Sequence, residues 1–74
     1  MTITAENLKP GDRLDATYFD SDNREVREVM VVTRVERSGD NVNITSRIVE
    51  SERPEGVGRT VVESASYWDR YETA

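Results

Sequence analysis

The sequence has no cysteine and no histidine among its 74 residues. Their absence excludes disulfides, thiolate metal sites, cysteine nucleophiles and imidazole general bases. The serines have no histidine to activate them, and the one lysine, Lys9, lies beside a turn where burial is not expected. The sequence therefore predicts a protein that is not an enzyme and that uses no cofactor.

A metal site is not indicated either. The segment "DSDNRE" at residues 20–25 has the composition of a calcium loop. Arg24 stands where that pattern needs an oxygen ligand, and Glu25 stands where it needs glycine. We interpret the segment as a solvated hairpin loop and expect no bound metal.

Long apolar runs are also missing. No stretch approaches the roughly 20 residues of a membrane span, and the first residues, "MTITAENLK", lack the basic and apolar regions of a signal peptide. We expect a cytoplasmic protein without membrane association. The length predicts a single domain over residues 1–74 with a thin core, since short chains bury only about 60% of their surface.

Positive charge is scarce. Ten basic residues stand against 15 acidic ones, for a net charge of −5. This imbalance disfavours non-specific nucleic-acid binding, which depends on neutralising phosphates. Nine of the ten basic residues are arginine, a bias that suggests a GC-rich genome, such as that of an actinobacterium or one of its phages.

Valine is abundant, with ten residues, and it favours strands over helices. Alternation and turn residues predict strands at 13–19, 26–37, 42–50 and 59–64. In the tail "SYWDRYETA", Ser66 and Asp69 resemble a capping box, which would give one helical turn. An extended tail is the alternative.

The stretch "VERSGDNVNI" at residues 35–44 predicts a hairpin with an even loop, because only an even loop puts Val35 opposite Ile44. The same register puts Val31 opposite Ile48. If residues 20–25 form a six-residue loop in the preceding hairpin, Leu14 likewise lies opposite Val31. We therefore expect one core face, whose residues on the central strand are Val29, Val31, Thr33 and Val35.

The segment "LKPGDRL" at residues 8–14 resembles the opening of SH3-like small barrels, in which a hydrophobic residue, a Pro-Gly-Asp turn and a strand begin the fold. The resemblance implies an architecture and no site residues. The predicted fold is all-β: a small antiparallel SH3-like barrel or a strongly bent sheet of four to five strands, with the C-terminal helical turn as an option.

The opposite face of the central strand carries Met30, across from Val49, with Val32 beside it. An apolar cluster on an outer face needs a cover, either the aromatic tail or a partner. In that tail, Tyr67, Trp68 and Tyr71 concentrate three of the five aromatic residues. We expect Trp68 in the core, both tyrosines partly exposed, and the tail as the cover.

These features predict a non-enzymatic protein-interaction module, an accessory or regulatory protein of bacterial or phage origin. The partner is a protein, and the chain is a monomer, with a homodimer as the alternative. The predicted partner-binding residues are Tyr67, Trp68, Tyr71, Met30, Val32 and Val49. The alternative functions are a nucleic-acid-binding barrel, with Arg34 and Arg47 on its outer face, and an acidic mimic of nucleic acid.

Overall fold

The computed structural model describes residues 1–74 and consists of strands and two short 3₁₀ helices. The strands are β1 (Thr2–Thr4), β2 (Arg13–Phe19), β3 (Glu25–Ser38), β4 (Asn41–Ser51), β5 (Thr60–Ser66) and β6 (Arg70–Thr73). The 3₁₀ helices span Ala5–Asn7 and Pro54–Gly56. The predicted all-β class is confirmed. No helix has the length and apolarity needed to cross a membrane.

All strand pairs are antiparallel, and the sheet order is β1-β6-β2-β3-β4-β5. Strands β5 and β6 are joined by residues 67–69, yet three strands lie between them in the sheet. In a flat sheet β5 and β6 would lie about 19 Å apart, whereas the fully extended chain from residue 66 to residue 70 spans at most roughly 14 Å. The sheet must curl, and it forms a half-barrel. Its six strands include β1 and β6, which the sequence pattern did not predict.

The core lies on the concave face, near the β5–β6 connection. Its buried members are Ala5, Leu8, Leu14, Val32, Val42, Ile44 and Ala65, and the half-buried Ile3, Val35, Tyr67 and Tyr71 pack against them. The first 3₁₀ helix thus supplies Ala5 to the core, and Leu8 follows directly after it. A core of this size makes stability depend on few side chains.

The tip of the β3–β4 hairpin has the predicted even loop. Ser38 pairs with Asn41 across the two-residue turn Gly39-Asp40, and Gly39 takes a φ of 61°, which favours glycine. Val35 lies opposite Ile44, as predicted.

A bulge at Thr33 then changes the register of the hairpin. Thr33 is the extra residue on β3, and its hydroxyl donates a hydrogen bond of 3.1 Å to the Thr45 carbonyl. Beyond the bulge Val31 lies opposite Arg47. The prediction that Val31 and Ile48 face each other in the core is therefore wrong. Val31 is half-buried on the outer face.

The β2–β3 register also differs by one residue from the prediction. The loop spans Asp20–Arg24, five residues instead of six, so Leu14 lies opposite Met30 and not Val31. Asp20 shapes this loop: its carboxylate accepts the backbone N–H groups of Asp22 and Arg24, each at 2.9 Å. Asn23 takes a φ of 60° within it. Leu14 still points into the core. The bulge at Thr33 puts Met30, and not Val31, on the core face of β3, so Leu14 and its partner Met30 share that face.

The tail is extended. Asp69 N–H donates to the Ser66 carbonyl at 3.1 Å, and Ser66 N–H donates to the Asp69 carboxylate at 3.0 Å. The spacing that suggested a capping box therefore closes a tight turn between strands, and β6 follows it directly.

Candidate functional site

The turn Ser66–Asp69 forms an aromatic corner where the two ends of the curled sheet meet. Besides its two internal hydrogen bonds, it accepts two from the first 3₁₀ helix. Ala5 N–H donates to the Asp69 carbonyl at 2.8 Å, and Glu6 N–H donates to the Tyr67 carbonyl at 3.2 Å. Four hydrogen bonds therefore fix the backbone of the corner.

Tyr67 is used within the chain. Its hydroxyl donates a hydrogen bond to the Gly39 carbonyl at the tip of the β3–β4 hairpin. The Arg37 guanidinium lies 5.3 Å from the centre of its ring, a cation–π distance. Tyr67 therefore ties the corner to the hairpin tip.

Trp68 lies at the surface and is 69% exposed. The prediction of a core position is wrong, because the turn directs Tyr67 inward and leaves Trp68 at its outer position. Ala5 and Leu8 occupy the core instead. The corner therefore presents a large exposed indole on a hydrogen-bonded turn.

Tyr71, on β6, is half-buried against the core, so both tyrosines are partly exposed as predicted. Burial, together with the nearby Glu63 carboxylate, raises the pKa of Tyr71 to about 12. Desolvation and a negative neighbour both disfavour the phenolate. The ring therefore serves mainly as packing, and its hydroxyl keeps its proton.

The predicted outer cluster of Met30, Val32 and Val49 does not exist as a surface. Met30 is 8% exposed and Val32 is 1% exposed, both on the concave face. Val49 is half-buried and forms a second bulge, on β4, where Val29 pairs with Glu50 beyond it. The outer-face prediction for Met30 and Val32 is wrong because the Thr33 bulge turns both side chains inward.

Arg34 and Arg47 are both exposed. Arg34 forms an ion pair with Glu36 on its own strand, and Arg47 lies between Val31 and Thr60 of the neighbouring strands. The acidic residues among these arginines give no single-sign surface. Nucleic-acid binding by this face stays a prediction.

A cavity of about 520 Å³ opens on the concave side at the far end of the hairpin. From the corner contact at Gly39 to this end, the hairpin runs roughly 30 Å. Apolar walls come from Tyr18, Ile48 and Val61, and Arg53, Glu55 and Arg59 are among the polar residues at its margin. The cavity is therefore separate from the aromatic corner.

A second cavity, of about 350 Å³, lies at the same end and is acidic. It is lined by Asp15, Arg27, Glu28, Val29, Glu50, Ser51 and Glu52. We call it the acidic cavity. Four of its seven residues are carboxylates and one is an arginine, so its field favours a cation.

Glu28 lines both cavities and is 9% exposed. Its Oε2 accepts a hydrogen bond of 2.8 Å from the Ser51 hydroxyl, which in turn accepts the Arg53 N–H at 3.0 Å. The Arg53 guanidinium pairs with Asp20. The backbone N–H of Arg24, with help from Arg53, holds the pKa of Asp20 below its usual value.

Sequence reasoning missed Glu28, because simple alternation through β3 placed it on the outer face. The bulge at Thr33, which moves Glu28 to the concave face, is not visible in the pattern of residues. No group of three or more acidic, histidine or cysteine side chains is arranged to hold a metal ion.

Comparison of the chain with protein-family models, with curated proteins and with solved structures found no match. The resemblance of residues 8–14 to SH3-like barrels therefore stays a prediction. The same holds for the partner-binding roles of Tyr67, Trp68 and Tyr71.

Proposed function

We propose that this protein is a non-enzymatic interaction module that binds a protein partner through the aromatic corner. Trp68 inserts into an apolar pocket of that partner, and Tyr67 supports it from behind. The observation that carries the proposal is the 69% exposure of the only tryptophan on a turn fixed by four hydrogen bonds. Such a role suits a small accessory or regulatory protein.

Two physical effects support the proposal: the large apolar area that a tryptophan buries, and the small loss of conformational entropy when a residue on a fixed backbone binds. A tryptophan buries about 150–250 Å² when covered, and it is among the residues enriched at the energetic centres of interfaces. A side chain on a fixed backbone loses less freedom on binding than one on a mobile tail. The corner therefore supplies a large apolar contact that is already positioned.

Position in the fold supports the same conclusion. The core excludes Trp68 and is complete without it, so the indole contributes little to folding. Its removal should cost the chain little stability, because surface substitutions away from such packing change the free energy of unfolding by about 0.5 kcal/mol or less. Contact with a partner explains why the surface carries a large apolar side chain, that of Trp68, which does not stabilise the fold.

The test compares Trp68→Ala with Val62→Ala, a matched control at a residue that is also 69% exposed but lies on β5. Tagged wild type and both variants are used to capture proteins from a bacterial lysate of the native host. The captured proteins are identified by mass spectrometry, and the affinity of the purified partner is then measured. We expect Trp68→Ala to weaken binding by about 2 kcal/mol or more and Val62→Ala to leave it unchanged.

Equal affinity of the partner for wild type and Trp68→Ala would contradict the proposal. So would a set of captured proteins that does not differ between the two. A melting temperature close to that of wild type in each variant shows that any loss of binding does not reflect unfolding.

A further inference from the structure

The outer edge of β5 has no neighbouring strand, since β5 pairs with β4 alone. In an antiparallel pair, every second residue bonds its backbone N–H and C=O groups to the partner strand, and the residues between them direct theirs to the other side. The Ile48 N–H donates to the Arg59 carbonyl at 2.9 Å, and the register from there through β5 has no shift. The β5 residues that bond to β4 are therefore Val61, Glu63 and Ala65.

The backbone groups of Thr60, Val62 and Ser64 point outward from this edge. They form no hydrogen bond within the chain, and all three residues are exposed. The next outward residue, Ser66, is already bonded, because its N–H donates to the Asp69 carboxylate and its C=O accepts the Asp69 N–H. Proline and β-bulges, which commonly prevent pairing at a sheet edge, are absent from β5, so this edge can accept another strand.

A second copy of the chain fits this edge when the two β5 strands pair antiparallel with Val62 at the centre. Val62 then lies opposite Val62 of the second copy, and Thr60 lies opposite Ser64 in both directions. This symmetric register gives a partner to every free N–H and C=O group of the edge. It also covers a valine that is 69% exposed in the single chain.

The same register brings together two opposite charges that are unpaired in the single chain. Neither Arg59 nor Glu63 belongs to any of the four ion pairs. Arg59 lines the concave cavity together with Val61, and Glu63 lies on the same face of β5 by alternation. In the pairing centred on Val62, Arg59 lies diagonally across from Glu63 of the second copy, a separation that a long side chain spans. Two-fold symmetry forms this contact twice.

We propose that the protein forms a symmetric homodimer by antiparallel pairing of its β5 edges, with Val62 at the two-fold axis. The pairing adds about six backbone hydrogen bonds, two for each of the three bonded residue pairs, and joins two half-barrels into one continuous sheet. A homodimer is the alternative to the monomer expected from the sequence. This contact lies beyond the proposed function and does not depend on it, since it uses the edge of β5 and not Trp68.

The first test measures the association of the full chain by sedimentation velocity from about 10 μM to about 1 mM. We expect a reversible shift from monomer to dimer within this range. Amide hydrogen exchange at the two ends of the range locates the contact: the amides of Thr60, Val62 and Ser64 should gain protection at high concentration. A monomer at every concentration, or exchange at these amides that does not depend on concentration, would overturn the proposal.

Ser64→Pro tests the edge itself. Proline removes one outward N–H group and leaves the bonds to β4 intact, so the fold should persist. We expect dimerisation to weaken by about tenfold or more, whereas the matched control Ser64→Ala, which keeps the N–H group, should dimerise like wild type. Val62→Ala also keeps the backbone groups of the edge, so it remains a control for contacts of Trp68. A folded Ser64→Pro variant that dimerises as well as Ser64→Ala would contradict the proposal.

Arg59→Glu tests the register and keeps the proposal testable if Ser64→Pro does not fold. The new carboxylate would face Glu63 of the second copy, and we expect dimerisation to weaken by about tenfold or more. The matched control is Arg24→Glu, which makes the same change of net charge in the exposed loop at Asp20–Arg24. Equal dimerisation of the two variants would place the contact elsewhere and overturn the proposal.

Discussion

Single residues in this chain divide into those that build the half-barrel and those that folding leaves free. Tyr67 and Trp68 are neighbours with opposite roles, because the turn directs one ring to the hairpin tip and the other into solvent. Glu28 is the one charged residue among the buried residues. Residue type alone does not assign these roles. Position in the turn and the local register do.

Tyr71 gives a prediction in alkaline solution. Its folded pKa of about 12 lies above the ordinary value of 10.0, so the folded state favours the protonated ring. The resulting stabilisation is complete below pH 10 and is lost as the pH rises from there through 12. Tyr71→Phe removes the titrating group. Urea denaturation at pH 9 and pH 11.5 should show a steeper loss of unfolding free energy in wild type than in the variant.

Parallel loss of stability in the two proteins over that range would show that Tyr71 does not retain its proton in the folded state. The measurement at pH 9 serves as the control, since it gives the packing cost of removing the hydroxyl alone.

At the scale of elements, prediction succeeded where a short pattern determines the structure. The even loop between β3 and β4 followed from alternation on both sides, because only an even loop aligns Val35 with Ile44. Alternation allowed a loop of two residues, Gly39-Asp40, or of four, Ser38 to Asn41, and the structure has the shorter one. The bulge at Thr33 was not predicted, since threonine suits either face of a strand and alternation does not record an inserted residue. That single extra residue places Met30 and Val32 in the core. It also places Glu28 on the concave face, where simple alternation does not predict it.

The Asp20–Arg24 loop and two short strands were missed for different reasons. The loop at Asp20–Arg24 is odd because the Asp20 side chain caps its backbone, a hydrogen-bond effect that residue counting does not capture. Strand β1 has three residues and β6 has four, and segments this short give no periodic signal. Both depend on pairing with distant parts of the chain.

The bulge makes a prediction about two adjacent valines. Val32→Ala should lower the unfolding free energy by about 2 kcal/mol, because Val32 is fully buried in the core. Val31→Ala should cost less than about 1 kcal/mol, because Val31 is half-buried on the outer face. Chemical denaturation of both variants measures the difference. A larger cost at Val31 would restore the uninterrupted register and remove the bulge from the account.

At the scale of the whole molecule, the fold is a sheet that curls so that β5, at one edge, connects directly to β6, near the other edge, through the aromatic corner. The corner therefore closes the half-barrel and also displays the indole. The cavities lie at the other end of the long hairpin, so they and the aromatic corner occupy separate ends of a molecule about 36 Å long.

The central claim is that folding leaves Trp68 free for a partner. Since Trp68 is the only tryptophan, its fluorescence reports on this claim directly. We predict that the isolated protein at neutral pH emits close to the wavelength of acetyl-tryptophan amide in water and is readily quenched by acrylamide, a neutral quencher that the net charge of −5 does not repel. Emission shifted to shorter wavelength, with protection from acrylamide in the isolated chain, would place the indole in the core and contradict the account.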